Sequence, residues 1–268
     1  MAQHPRRRAA RERIWSHGVE RGQHVVTNAA KPPPAYGFPE KKTKWPKVLA
    51  FDTSGPFVSI AWSFESYSDA TRTDMARGQA EALMPMLEAQ LQALGWQWSD
   101  VDALGVGVGP GNFTGIRISV AAARGLGLAL GIPVFGIDAF RIAYGHHRPD
   151  SGTLIALPAP RDMAYVQGYG TGSAPQFGQG LLIDPAAPPV ELQLSFGMQV
   201  FGHRAVEIGG HFDAQAGEGF DGAGVLNIAE MVEYLYLDAN TVPPAPAPHY
   251  IKPPDAAPAR DAPPRILP

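Results

Sequence analysis

Two short stretches carry the residue types from which a phosphate or cation site could be built. The first is Asp52-Thr53-Ser54, a carboxylate followed by two hydroxyls. Such a set can hold a hydrated divalent cation beside phosphates. The same residues are also ordinary turn formers. The second is Gly109-Pro110-Gly111-Asn112-Phe113-Thr114-Gly115. Its glycines free the backbone to turn tightly, and N–H groups at a helix start favour an anion. As a bare glycine loop it reads more readily as a plain strand-to-helix turn. No Lys-Ser/Thr pair follows Gly115, so it is not a P-loop. Gly105, Gly107, Gly109 and Gly111 alternate at a spacing that does not fit a dinucleotide fingerprint. The candidate phosphate contacts are therefore Asp52, Thr53, Ser54, Gly109, Gly111, Asn112 and Thr114.

Other chemistries find less support. None of the eight histidines forms an H-x-x-x-H pair, the spacing that puts two imidazoles on one helix face. His146 and His147 are adjacent, so their side chains diverge. With no cysteine in the chain, thiolate catalysis, disulfides and zinc–cysteine sites are excluded, and a reducing compartment fits. There is no G-x-S-x-G elbow, and Ser54 and Ser119 have no base partner in sequence. No residue is assigned as catalytic and none as a metal ligand.

The elements that must position these stretches are legible in the apolar spacing. Val48–Asp52 and residues 57–62 are short apolar runs separated by Thr53-Ser54-Gly55-Pro56, which predicts a hairpin. Leu83, Leu87, Leu91 and Leu94 recur at helical spacing over Gln79–Leu94, with Gly95 as the stop. Pro85 fits only near the first turn or at a kink. Residues 101–108 form a strand feeding the glycine loop. A helix over 116–130 follows, then a strand over 133–137 and a helix beginning at Ala139. Residues 48–145 thus read β-β-α-β-α-β-α, a mixed sheet flanked by helices. The second helix is rich in small residues, including Ser119, Ala122, Ala123 and Gly127, which permit close approach by another helix.

Residues 151–210 are richer in Gly and Pro, with strand-like pieces at 154–157 and 165–169, and predict a smaller second lobe. Residues 223–237 predict a closing helix. The domain reading is 1–46 as an extension, 47–148 as the first lobe, 149–242 as the second and 243–268 as a tail. That tail contains ten prolines and should be extended.

The net charge of −3 conceals a division. Residues 1–47 carry 11 Lys+Arg against 3 Asp+Glu, a net of +8, which leaves the remaining chain at −11. The Arg-rich extension lacks the apolar run of a secretory signal. Its composition predicts a solvated, disordered tail that could also touch RNA or another anionic surface. No uninterrupted apolar run is long enough for a membrane span, so no membrane association is expected.

Several blocks, in order and spacing, closely resemble the TsaB (YeaZ) family. They are Leu49-Ala50-Phe51-Asp52-Thr53-Ser54, Glu81-Ala82-Leu83-Met84-Pro85-Met86-Leu87, the run from Gly107 through Gly115 to Ile116-Arg117, Ala123-Arg124-Gly125-Leu126-Gly127 continuing to Pro133, and His249-Tyr250-Ile251-Lys252-Pro253-Pro254-Asp255-Ala256. The similarity covers residues 48–138 and the short block near 248–256. The resemblance implies an α/β chain of the actin-like, Hsp70-like (ribonuclease H-like) ATPase fold, with two lobes of mixed sheet flanked by helices. It also implies a non-catalytic cytoplasmic subunit that pairs with the catalytic paralogue TsaD in making threonylcarbamoyladenosine on tRNA. A TsaE-like ATPase and tRNA would be further partners, self-pairing is an alternative, and ATP or ADP could sit at the complex interface. The implied partner face contains Leu83, Met86, Leu87, Arg117, Ser119, Ala122 and Ala123. Gln79 stands where relatives often carry histidine, which favours the partner over the enzyme. In the second lobe, where relatives carry Asp-Ala-Arg, the residues are Ala159-Pro160-Arg161, and only Arg161 matches. The competing reading is an independent actin-like ATPase or a glycoprotease-like hydrolase.

Overall fold

The computed structural model describes residues 45–65, 67–147, 152–169, 180–189, 192, 198–217, 225–238 and 243–251. The expectation for the extension over 1–44 and that for the tail beyond Ile251 lie outside the described residues.

Residues 48–147 form β1 (Val48–Asp52), β2 (Phe57–Phe64), β3 (Tyr67–Asp74), α1 (Gln79–Leu94), β4 (Ala103–Gly107), α2 (Phe113–Leu130), β5 (Val134–Ile137) and α3 (Ala139–His147). The strands make one sheet in the order β3-β2-β1-β4-β5. β1 runs antiparallel to β2 and parallel to β4.

The sequence reading needs three corrections here. β3 was not expected, because Tyr67-Ser68-Asp69-Ala70-Thr71-Arg72-Thr73-Asp74 has no apolar alternation. It is a largely exposed edge strand, held by an eight-residue register on β2 from Phe57↔Asp74 to Phe64↔Tyr67. α2 starts at Phe113 and not at Ile116, because Asn112 caps it. α1 continues through Pro85, whose side chain is exposed. Both glycine stops hold: Gly95 and Gly131 take left-handed φ of 65° and 68°, a conformation that glycine adopts without a Cβ penalty.

The second lobe contains β6 (Thr153–Pro158), β7 (Ala164–Tyr169), β8 (Leu181–Ile183), β9 (Gln199–Gly202), α4 (Ala205–Gly210) and β10 (Gln215–Ala216). Its sheet order is β10-β9-β6-β7-β8. Read from the other edge, this is the first sheet again, with β6 in the place of β1. The strand senses also agree: β6 is antiparallel to β7 and parallel to β9. The chain therefore contains two copies of one sheet topology.

α5 (Val225–Asp238) closes the structure. The sequence boundaries assign it to the second lobe, over 149–242, but it packs on the first sheet. Ile228, Ala229, Met231, Val232 and Tyr236 bury themselves against Val48, Ala50, Ala61, Ala103, Phe135 and Ile137. The approach is close enough that a Cβ on Gly105 would lie 2.8 Å from Ile228. The opposite face of the sheet packs on α1 and α2 through Leu49, Phe51, Ile60, Leu104 and Val106. Thus both faces of the first sheet are covered, which explains why β4 and β1 up to Phe51 are apolar.

α2 is long and apolar enough by composition alone to cross a membrane. Here Gly115, Ile116, Ser119, Val120, Ala123 and Gly127 bury one side of it, while Arg117 and Arg124 are exposed. It is a core helix of the first lobe.

Candidate functional site

The C-terminal ends of β1 and β4 bring the two candidate stretches together. Asp52 ends β1, and the glycine loop follows β4. The contact between them is backbone on backbone. A Cβ on Gly115 would lie 1.9 Å from the Thr53 carbonyl oxygen, and one on Gly111 would lie 2.3 Å from that of Ser54. A Cβ on Gly107 would meet the Asp52 carboxyl carbon at 2.4 Å. These glycines are needed because residues Asp52 to Ser54 occupy the space a side chain would take.

Most of the polar groups in this contact pair with one another. The Asp52 carboxylate accepts from the Ser54 backbone N–H at 2.7 Å and the Ser54 hydroxyl at 2.9 Å. The Thr53 hydroxyl donates to the Gly115 carbonyl at 2.7 Å. The Asn112 N–H donates to the Ser54 carbonyl at 2.6 Å. Asn112 Oδ1 accepts from Thr114 and Gly115, at 2.9 and 3.1 Å. The first-turn amides an anion would use already carry a side-chain cap. Burial is the main cause that raises the Asp52 carboxyl above the usual carboxylate range; the Ser54 hydrogen bonds oppose it.

Gln79, the first residue of α1, supplies a third component. Its side-chain amide donates to the carbonyls of Gly55 and Phe57, both at 2.7 Å, and is buried. It clamps the β1–β2 turn to α1. A neutral imidazole has one N–H and could not make both bonds. Among the described residues, no group of three or more His, Asp or Glu side chains is placed to hold a metal ion.

The residues expected at the partner face divide into two sets. Leu83, Leu87, Ser119 and Ala123 are at most 1% exposed and belong to the lobe's own core. They correct the sequence reading: helical spacing identifies a stripe without saying which neighbour covers it. Ser119 Oγ points inward, donating to the Gly107 carbonyl at 3.2 Å. Met86 and Ala122 are half-buried and Arg117 is exposed, so these three remain available at the surface. Beside them, Ala121, Arg124, Gly125 and Leu128 form the outward stripe of α2, with Leu128 64% exposed.

Three further features escaped the sequence reading. Asn112 as a helix cap was visible in principle from the Asn-x-Thr-Gly start signal. Glu233 and Glu230 of α5 accept from Ser63 and Ser68, fixing that helix across β2 and β3; the pairing spans about 165 residues of chain and leaves no local pattern. In the second lobe, Arg161, Asp162 and Arg204 all take left-handed φ, between 53° and 62°. Arg204 joins their two turns by donating to Asp162 Oδ2 at 2.7 Å and to Glu207 Oε1 at 2.8 Å. Arg161, the residue that matches the family pattern, is exposed in this strained turn.

Comparison with known proteins agrees with this architecture. Residues 73–161 match the protein family described as TsaD: tRNA N6-adenosine threonylcarbamoyltransferase. That segment runs from the end of β3 through α1, the glycine loop and α2 to the start of the second lobe's first turn. No curated protein sequence matches the chain. Among solved structures, a Pseudomonas aeruginosa protein described as uncharacterized, with similarity to peptidase YeaZ, superposes with a TM-score of 0.60 at 24% identity, covering 77% of this chain and 100% of its own. YeaZ from Pseudomonas aeruginosa gives 0.55 at 22% identity, over 74% and 95%. The duplicated sheets and the glycine loop packed on the first hairpin thus give this chain the fold of the YeaZ structures, two mixed sheets flanked by helices, with a segment over residues 73–161 that matches the TsaD family.

Proposed function

We propose that this chain is a non-catalytic subunit of a tRNA threonylcarbamoyladenosine-forming complex and that it pairs with a TsaD-like catalytic protein. The observation that carries the reading is the mutual pairing of the Asp52 turn and the glycine loop. Ser54 is engaged by Asp52, Thr53 by Gly115, and the amides of Thr114 and Gly115 by Asn112. A first hairpin arranged this way acts as a scaffold for α1 and α2, and the chemistry falls to the partner. The TsaD-family segment over residues 73–161 supports the choice of pathway.

The partner face is assigned to the outward sides of α1 and α2, at Met86, Arg117 and Ala122, extended by Ala121, Gly125 and Leu128. Small residues there let a second helix pair approach closely. ATP or ADP, if used, binds at the interface of the complex, and a TsaE-like ATPase and tRNA join through it. The reading places the complex in the cytoplasm. The same helix face could also support self-pairing.

The test is co-expression of this chain with the TsaD-like protein of the same organism, followed by size-exclusion chromatography. Co-elution as a stoichiometric complex is expected. Separate elution at micromolar concentration would contradict the assignment.

A further inference from the structure

The segment after α5 does not leave the globule. Residues 243–251 contain no helix or strand, yet they are seated along the glycine loop. The His249 N–H donates to the Val108 carbonyl at 2.8 Å, extending the end of β4 by one hydrogen bond. The His249 carbonyl lies 3.0 Å from where a Cβ on Gly109 would be, and Pro246 lies 3.1 Å from that of Gly136. Tyr250 packs against Phe113 in the first turn of α2, ring centroids 4.9 Å apart and planes tilted by 32°. Its hydroxyl accepts from Arg117 Nε at 3.1 Å, and the Arg117 guanidinium lies over the Phe113 ring at 3.7 Å.

Consecutive residues of this segment go to different hydrophobic clusters. Tyr250 packs against the cluster under α1 and α2, which belongs to the first lobe. Ile251 packs against Phe140 and Ala143 of α3 with Ile155, Leu157, Tyr165 and Phe201 of the second lobe. A Cβ on Gly180, just before β8, would lie 2.9 Å from Ile251 Cδ1.

We infer that residues 246–251 are a clasp: Tyr250 fixes the glycine loop and the first turn of α2, and Ile251 ties that fixed point to the contact between the lobes. The physical basis is placement. The loop is rich in glycine, so it has high backbone entropy when unrestrained. The clasp supplies one backbone hydrogen bond, a tilted aromatic contact and a guanidinium contact at that spot. Because the next residue is anchored in the other cluster, a swing of one lobe relative to the other must strain or release the clasp.

Hydrogen exchange on the full chain tests this, using Tyr250→Ala, Tyr250→Phe and Ile251→Ala. Local opening energies are what exchange measures. Tyr250→Ala is expected to raise exchange about tenfold or more across residues 108–118, while β6 and β7 stay as protected as before. Tyr250→Phe keeps the aromatic contact and loses the Arg117 bond, so its effect there should be several-fold smaller. Ile251→Ala should raise exchange in α3 and β8 before it affects α1. Wild-type exchange at 108–118 in Tyr250→Ala, or at α3 and β8 in Ile251→Ala, would overturn the clasp. So would equal acceleration of every segment in the two alanine variants, since that means global destabilisation. Tyr250→Phe guards against misfolding: if it too accelerates all segments equally, the local latch is wrong.

Discussion

The Thr53 carbonyl oxygen occupies the place where a Cβ on Gly115 would have to sit, 1.9 Å away. The end of β1 and the start of α2 are therefore in direct backbone contact, and the Thr53 hydroxyl seals it by donating to the Gly115 carbonyl. Gly115→Ala should force the two apart and cost on the order of 3 kcal/mol. Gly125→Ala is the matched control: it lies in the same helix, and nothing stands within 4 Å of its added Cβ. It should stabilise by up to ~1 kcal/mol through helix propensity. Thermal unfolding of the two variants checks the contrast. Equal shifts would mean that α2 is not seated on Thr53.

Gln79 bridges the Gly55 and Phe57 carbonyls with one amide. Gln79→Ala leaves both acceptors without that donor and should destabilise by about 1–3 kcal/mol. Gln79→His can replace at most one of the two bonds, so it should fall between alanine and wild type. Urea unfolding would settle the order. A histidine variant as stable as wild type would show that the clamp contributes little.

How much of this could be read from the residues alone differs between features. The Leu83, Leu87, Leu91 stripe gave α1, and Gly95 and Gly131 gave two helix ends, because those signals are local. β3 was illegible because an exposed edge strand needs no apolar alternation and takes its register from β2. Asp52-Thr53-Ser54 and the glycine loop were identified as residues worth attention, yet their relationship could not be read. Whether Ser54 faces a ligand or Asp52 depends on a tight turn, and whether the loop is open depends on a distant segment, with Tyr250 lying against Phe113. Likewise, Ser119 and Ala122 look similar as candidates on one helix, and only the sheet beneath distinguishes the buried Ser119 from the half-buried Ala122.

Asp52 makes stability depend on pH in a defined direction. Burial raises its folded-state value above that of the unfolded chain. The folded state then binds the proton more tightly, so ionised Asp52 is a liability that is present at neutral pH and relieved as pH falls through the raised value. Asp52→Asn removes that titration. Its stability relative to wild type should be most favourable at pH 7 and should decline steadily towards pH 4. Melting temperatures of both proteins across that range give the answer. A difference that stays flat, or grows towards acid, would mean that the carboxyl is not desolvated.

The proposed partner face separates core from surface on one helix. Ser119→Arg puts a cation into the packed interface with β4 and should unfold the chain, as circular dichroism would show. Leu128→Arg lies on the exposed stripe and should leave the fold intact, while weakening binding to the TsaD-like protein by about tenfold or more. A folded Leu128→Arg variant that binds as well as wild type, measured by calorimetry, would move the interface elsewhere.

The central claim is that this chain supports the transfer without performing it. The most direct measurement is a reconstituted reaction with purified chain, TsaD-like protein, TsaE-like ATPase, ATP, a threonylcarbamoyl donor and unmodified tRNA, followed by mass analysis of the tRNA nucleosides. The account predicts threonylcarbamoyladenosine from the complete mixture, a collapse when this chain is omitted, and none from this chain without its TsaD-like partner. Modified adenosine from this chain in the absence of that partner, or an undiminished yield when it is left out, would contradict it.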